Sequence, residues 1–117
     1  MKKIQLLLII IFVSSLFSLQ AQPASNLKIV NKIHADGDEK WDYLFSDDLA
    51  SRLYVSHGKM VQVIDESKGE VVGKITDLDG VHGIAIAPAI HKGFISTKND
   101  NSVTIFDTKT FEVIKKL

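Results

Sequence analysis

The sequence repeats itself with a period near 40 residues, and this repeat limits the possible folds more than any other feature. Residues 41–56 align without a gap with residues 81–96, at an offset of 40. Downstream the offset becomes 42, in two further pairs of segments: 61–65 with 103–107, and 70–75 with 112–117. Each copy therefore carries four short apolar runs in the same order, which predicts a supersecondary unit that is built twice.

Each run has the character of a β-strand. Residues 53–55 are branched or aromatic, which suits a pleated sheet. Residues 61–63 and 103–105 alternate apolar and polar side chains, so one face of each strand should be buried. No window after residue 21 has the apolar spacing of a helix. We therefore predict an all-β chain whose repeats are four-stranded antiparallel sheets, the blades of a β-propeller.

Turn-forming residues separate the runs. Gly58 stands between the second and third runs of the first copy, and the longer turn at 99–101 stands between those of the second. Asp65 and Asp107 end the third run in their respective copies. Because a carboxylate at that position accepts hydrogen bonds from turn amides, we predict that both aspartates cap turns and have no further role.

Two short segments of the repeat resemble the motifs of a known protein family. The YVTN tetrapeptide of one propeller family has its counterpart in Tyr54-Val55-Ser56-His57 and, more loosely, in residues 94–97. The run DNSVTIFD, residues 100–107, is similar to the third-strand phrase of that family. Over residues 29–117 the chain resembles the YVTN-repeat, or YncE-like, β-propeller proteins of bacteria. That resemblance implies a closed ring of about seven blades. It implies little about activity, because propellers have many functions.

The chain holds about two blades of such a ring. We predict a leading strand at 27–33 and blade copies at about 34–75 and 76–117. Because stacked repeats bury their faces against neighbours, we expect this to be the N-terminal portion of a longer chain that also contains the missing C-terminal blades. The alternative is that two-blade units assemble into a ring.

The first 21 residues have the layout of a secretory signal peptide: basic Lys2 and Lys3, an apolar run, and a small residue, Ala21, at the predicted cleavage point. The alternative is a transmembrane anchor, but the apolar run is shorter than the ~20 residues that a spanning helix needs. We therefore predict a periplasmic or secreted protein without a membrane span after cleavage. The chain contains 0 cysteines, which excludes disulfides.

Three polar residues are candidates for a ligand site: Asp42, His57 and His82. In a blade, the loop into the first strand and the loop between the second and third strands open on the same face, so all three should share it. Imidazole and carboxylate groups suit a divalent metal or acid–base chemistry. The alternative is that Asp42 and His57 bond to loop backbone and that His82 merely begins a strand. We predict ligand contact for these three and leave the metal and any cofactor open.

The neighbouring Trp41 and the segment 80–83 suggest no further chemistry. The segment GVHG precedes a strand and lacks the spacing of a phosphate loop, so its glycines should serve a tight turn. Trp41 is expected to pack between adjacent blades.

The most direct functional hypothesis is a binding or interaction scaffold, with a ligand face at the mouth of the channel, for a small molecule or a protein partner. The alternative is a propeller enzyme, lactonase-like or dehydrogenase-like, with a metal or cofactor at the channel. Without Lys2 and Lys3 the chain has 12 basic and 14 acidic residues, and it has no basic groove with aromatic platforms. This portion therefore gives no basis for nucleic-acid binding.

Overall fold

The computed structural model of the protein describes residues 27–37 and 40–117. In this part of the chain the regular structure is all β, apart from a short 3₁₀ turn at Pro88–Ile90. The strands are β1 (Trp41–Asp47), β2 (Arg52–His57), β3 (Met60–Asp65), β4 (Glu70–Ile75), β5 (Val81–Ala87), β6 (Lys92–Thr97), β7 (Ser102–Asp107) and β8 (Val113–Lys116). Strands β1–β4 form sheet 1 and β5–β8 form sheet 2, each antiparallel in chain order. The all-β prediction is confirmed.

The predicted signal peptide lies outside the described residues. Among the residues described, no helix has both the length and the apolar character needed to cross a membrane.

The two sheets also have their register shifts at equivalent positions. The pairing of β1 with β2 shifts register between Trp41 and Leu44, and that of β5 with β6 shifts at the equivalent residues, Val81 and Ile84. The β3–β4 and β7–β8 pairs each have one further shift, again at equivalent positions. Because such bulges redirect the side chains beside them, the two sheets share their twist and their side-chain directions as well as their strand order.

The aspartates that end β3 and β7 cap the turns that follow them. The Asp107 carboxylate accepts hydrogen bonds from the amides of Lys109 (2.7 Å) and Thr110 (2.9 Å). The Asp65 carboxylate accepts the equivalent two, at 3.0 and 3.1 Å. The amides of Thr110 and Lys109 hold the pKa of Asp107 below its usual value, since they stabilise the ionised carboxylate. Turn capping, predicted for both residues, is confirmed.

The two sheets pack face to face. Sheet 1 contributes residues that alternate along β2 and β3 and at the end of β4, and sheet 2 contributes residues from β5, β6 and β7. Leu78, in the connection between the sheets, completes the core. The buried members of this core are Tyr54, Val61, Val63, Ile75, Leu78, Val81, Ile95 and Phe106.

The repeat-equivalents of the sheet 1 core residues lie on the other face of sheet 2. Val61 lies between the sheets and is 0% exposed. Its equivalent, Val103, lies in the third strand of the second copy and is 38% exposed. Likewise, Ile75 is buried and its equivalent, Leu117, is exposed. Within the described residues the two sheets form one packed pair and do not close into a ring.

The segment 27–37 crosses the outer face of sheet 1, the face turned away from sheet 2. Gln62 donates a hydrogen bond from Nε2 to the Asp36 carbonyl oxygen (2.5 Å), and Lys74 lies 3.9 Å from the Asp36 carboxylate. Residues 27–33 pair with neither of the two described sheets, and the leading strand stays a prediction. They are unpaired here because this segment lies over the side chains of the sheet, where no strand edge offers its N–H and C=O groups.

The Tyr54 hydroxyl is buried in the core, and no described residue accepts or donates a hydrogen bond to it. Burial raises the pKa of Tyr54, because it disfavours the phenolate. Because the folded-state pKa is raised, the unfolded chain ionises first, and stability falls as pH rises from the unfolded value, about 10, through the folded value. Because the buried hydroxyl lacks a hydrogen-bond partner, Tyr54→Phe should raise the free energy of unfolding at pH 7 by about 1 kcal/mol. It should also lessen the loss of stability above about pH 10.

Urea unfolding followed by circular dichroism at several pH values would measure both effects. Tyr43→Phe is the matched control, because the side chain of Tyr43 is exposed and its substitution should change little. The second repeat already has phenylalanine, Phe94, at the equivalent of Tyr54. A Tyr54→Phe protein less stable than the parent at pH 7 would mean that the hydroxyl has a partner.

Candidate functional site

The turn between β2 and β3 reaches across to the start of sheet 2. Gly58 has φ +58°, a conformation that glycine adopts without strain, and its carbonyl oxygen accepts a hydrogen bond from the Val81 amide (3.0 Å). The carbonyl oxygen of Lys59 accepts one from the Leu78 amide (3.2 Å). Backbone hydrogen bonds therefore fix the first repeat's turn against the strand that opens the second repeat.

Each repeat also ties its own turn to its own first strand. The Gly58 amide donates to the Lys40 carbonyl oxygen, and the Lys98 amide donates to that of Gly80, both at 3.0 Å. Lys40 corresponds to Gly80, and Gly58 to Lys98, at the same offset of 40. The incoming loop and the second turn of each repeat thus lie at one edge of the sheets, as the sequence predicted.

Asp42 and His82 meet at this edge and bridge the two sheets. His82 Nδ1 lies 2.9 Å from Asp42 Oδ2, and the Tyr43 ring meets the imidazole edge-on, with 4.7 Å between ring centroids. The Ser56 hydroxyl donates to the carbonyl oxygen of His82 (3.0 Å), which fixes the backbone of the histidine. Two of the three predicted site residues therefore lie together, and both side chains are partly exposed.

His57 lies beneath Trp41 and supports its ring. The two rings stack with centroids 3.8 Å apart and planes 7° apart, and His57 is 0% exposed. Gly37 passes over the imidazole so closely that a Cβ there would stand 2.2 Å from His57 Cε1. His57 thus supports the Trp41 ring, and ligand contact by His57 stays a prediction. The bulge in β1 sets Trp41 directly opposite His57 and turns both to the outer face of sheet 1.

Trp41 packs within its own repeat, and its indole remains 52% exposed. One face of the indole lies against the imidazole. Packing between sheets, which the sequence suggested for this residue, is done instead by the core residues of β2 and β3.

The three predicted residues do not form a metal site. Among residues 27–37 and 40–117, no group of three histidine, aspartate or glutamate side chains is placed to hold a metal ion. Asp42 and His82 make a contact of two, whose chemistry is a hydrogen bond between a carboxylate and an imidazole.

A cleft of about 450 Å³ opens where the two sheets meet at this edge. We call it the junction cleft. It lies between the β2–β3 turn, the start of β1, the loop into β5 and the β6–β7 turn, so both repeats supply its walls. Its lining residues are Lys40, Trp41, Asp42, Gly58, Lys59, Asp79, Gly80, Val81, Lys98 and Asn99.

The wall on the sheet 2 side is held by Asn99. Its Nδ2 donates to the Asp79 carboxylate (2.9 Å), and its backbone amide donates to the Asp79 carbonyl oxygen (3.3 Å). Gly80 has φ +68°, and a Cβ there would stand 2.8 Å from the Asn99 side-chain amide. The tight turn predicted at this glycine is present and allows the Asn99 side chain to lie against the backbone.

The lysines of the junction cleft, Lys40, Lys59 and Lys98, were not identified from the sequence. All three are exposed, and in the described part of the chain no carboxylate lies within ion-pair distance of them. Lys40 and Lys98 stand where the other repeat has a glycine, and this difference between the copies could have identified them.

No protein-family model matches the sequence, and a search of curated proteins finds no match.

Proposed function

We propose that the chain is an exported β-repeat protein of the YVTN propeller type, and that it binds a small molecule or a short segment of a protein partner in the junction cleft. The blade interpretation is supported by two sheets with the same strand order, the same bulges and face-to-face packing. Export is supported by the signal-like order of residues 1–21 in the sequence.

The observation that carries the binding function is the junction cleft itself. Its volume, about 450 Å³, is in the range of small-molecule sites. It is lined by Trp41, which is 52% exposed, and by polar groups from both repeats, which is the usual composition of a ligand pocket. Backbone hydrogen bonds across the junction hold the walls in place before a ligand arrives, which lowers the entropy cost of binding.

Asp42 and His82 have a structural part in this proposal. Their side chains contact each other, and this pair connects the first strands of the two repeats beside the cleft. Asp42 lines the cleft and is partly exposed, so its carboxylate is also accessible to a ligand there.

A fragment screen by nuclear magnetic resonance tests the proposal. Compounds that bind should shift the backbone amides of Gly58 and Gly80 and leave those of Ala89 and Ile90, in the 3₁₀ turn, unchanged. Lys59→Trp places a bulky ring in the cleft and should abolish these shifts. Lys92→Trp, an exposed position at the opposite edge, should preserve them. Shifts that map to the opposite edge, or no binding fragment at all, would overturn the proposal.

A further inference from the structure

We propose that the ligand of the junction cleft is an anionic small molecule, in which a carboxylate or phosphate group is attached to a flat ring. This inference rests on the proposed binding function and adds the chemical class of the ligand. In this arrangement Lys40, Lys59 and Lys98 receive the anionic group, and the exposed indole face of Trp41 stacks on the ring.

The first argument is the convergence of the three lysines. They come from three separate segments, namely the approach to β1, the β2–β3 turn and the β6–β7 turn, and they line one cleft of about 450 Å³. Ammonium groups that share a cleft repel one another, and low-dielectric walls strengthen the positive potential between them. An anion in the cleft is attracted to each ammonium group and offsets the repulsion between them.

The second argument is that the carboxylates of the cleft are already engaged. Asp42 faces His82 at 2.9 Å, and Asp79 accepts the hydrogen bond from Asn99 at 2.9 Å. Neither lies within ion-pair distance of a cleft lysine. Among the described residues that line it, the cleft therefore has three lysines against two carboxylates, and these carboxylates are held by His82 and Asn99.

The third argument is that the fold does not require lysine at these positions. Lys40 and Gly80 accept the same backbone hydrogen bond in their respective repeats, and Gly58 and Lys98 donate it. The same backbone hydrogen bond thus closes both turns, although the residue is a positive-φ glycine in one repeat and lysine in the other. The side chains of Lys40 and Lys98 take no part in this bond, so they are available for another role.

The flat part of the ligand follows from Trp41. Its indole is pinned from one side by the His57 imidazole, 3.8 Å away, so the ring has a fixed orientation. A rigid aromatic surface beside a group of cations favours a ligand that offers both a π-face and a negative charge. This residue is also the only tryptophan in the sequence, which gives a direct optical signal.

Titration of Trp41 fluorescence with four probes tests the inference: benzoate, phenyl phosphate, inorganic phosphate and neutral benzamide. Benzoate and phenyl phosphate should bind about tenfold more tightly than benzamide, and rising salt should weaken them. The aromatic anions should also bind more tightly than inorganic phosphate, since they add stacking on the indole. A preference of phenyl phosphate over benzoate, or the reverse, distinguishes phosphate ligands from carboxylate ligands.

A pair of triple variants supplies the matched control. Lys40→Gln, Lys59→Gln and Lys98→Gln together should weaken the anionic probes about tenfold or more and leave benzamide unchanged. Lys92→Gln, Lys109→Gln and Lys115→Gln remove the same charge from exposed sites elsewhere and should leave every probe unchanged. Circular dichroism verifies that both proteins fold.

The outcomes separate the two proposals. Equal binding of benzamide and benzoate, unaffected by the cleft substitutions, would overturn the anionic ligand and leave binding in the cleft intact. An equal loss in both triple variants would also overturn it, because the attraction would then arise from overall charge. Failure of every probe here, together with failure of the fragment screen, would overturn both proposals.

Discussion

Gly93→Ala is expected to lower the free energy of unfolding by about 1–3 kcal/mol, the usual cost of overpacking a core. Gly93 lies in β6 directly opposite Phe106 in β7, and the ring covers the glycine so closely that a Cβ would stand 2.1 Å from Phe106 Cζ. The ring is fully buried and packs on Tyr54, with centroids 5.9 Å apart, so it has little room to move. Urea unfolding followed by circular dichroism measures the loss.

A double-mutant cycle shows whether the ring causes that loss. Phe106→Ala alone should cost about 3–5 kcal/mol, because it leaves a cavity in the core. In that background Gly93→Ala should cost almost nothing, since its new methyl group has space, and the two substitutions should therefore be strongly non-additive. Gly83→Ala is the control, because its Cβ would meet only the Ser96 hydroxyl, at 3.1 Å. Simple additivity would contradict the ring-over-glycine contact.

Val61→Asp is expected to prevent the two sheets from packing, at a cost of several kcal/mol, because it would bury an unpaired carboxylate between them. Val61 is 0% exposed and has apolar core residues around it. The expected result in the 117-residue chain is loss of the cooperative urea transition and rapid cleavage in limited proteolysis.

Val103→Asp supplies a control of the same chemistry at the equivalent position of the second repeat. Val103 faces outward from sheet 2 and is 38% exposed, so a carboxylate there remains in water. Its effect on stability should be within about 1 kcal/mol. Equal damage from both substitutions would contradict a structure in which only the sheet 1 residue lies between sheets.

The packing of sheet 2 on only one face of sheet 1 also determines where the junction cleft forms. Sheet 2 covers the inner face of sheet 1, and the turn of the first repeat then lies against the first strand of the second. The walls of the cleft are therefore consequences of sheet packing, and its ligand chemistry is set by the side chains at the turns. Substitution of cleft lysines should consequently change binding with little effect on the core.

The sequence by itself determined the local architecture of this protein. Alternating side chains in residues 61–63 and 103–105 fixed which residues share a face, since successive residues of a strand point to opposite sides. The repeat offset placed Asp42 and His82 at equivalent positions of neighbouring sheets, which correctly predicted that they approach each other. Turn capping by Asp65 and Asp107 followed in the same way, because its hydrogen bonds span only a few residues.

Only the tertiary structure decided how the sheets and turns meet. The burial of His57 under Trp41 depends on a β1 bulge, which a pattern of apolar residues does not reveal. Residues 27–33 have strand-like composition, yet they remain unpaired because pairing requires a free strand edge beside them. The three lysines line one cleft because backbone hydrogen bonds hold the start of sheet 2 against the β2–β3 turn. The relative positions of the sheets and turns depend on packing between residues that are far apart in the sequence, and no local sequence pattern encodes them.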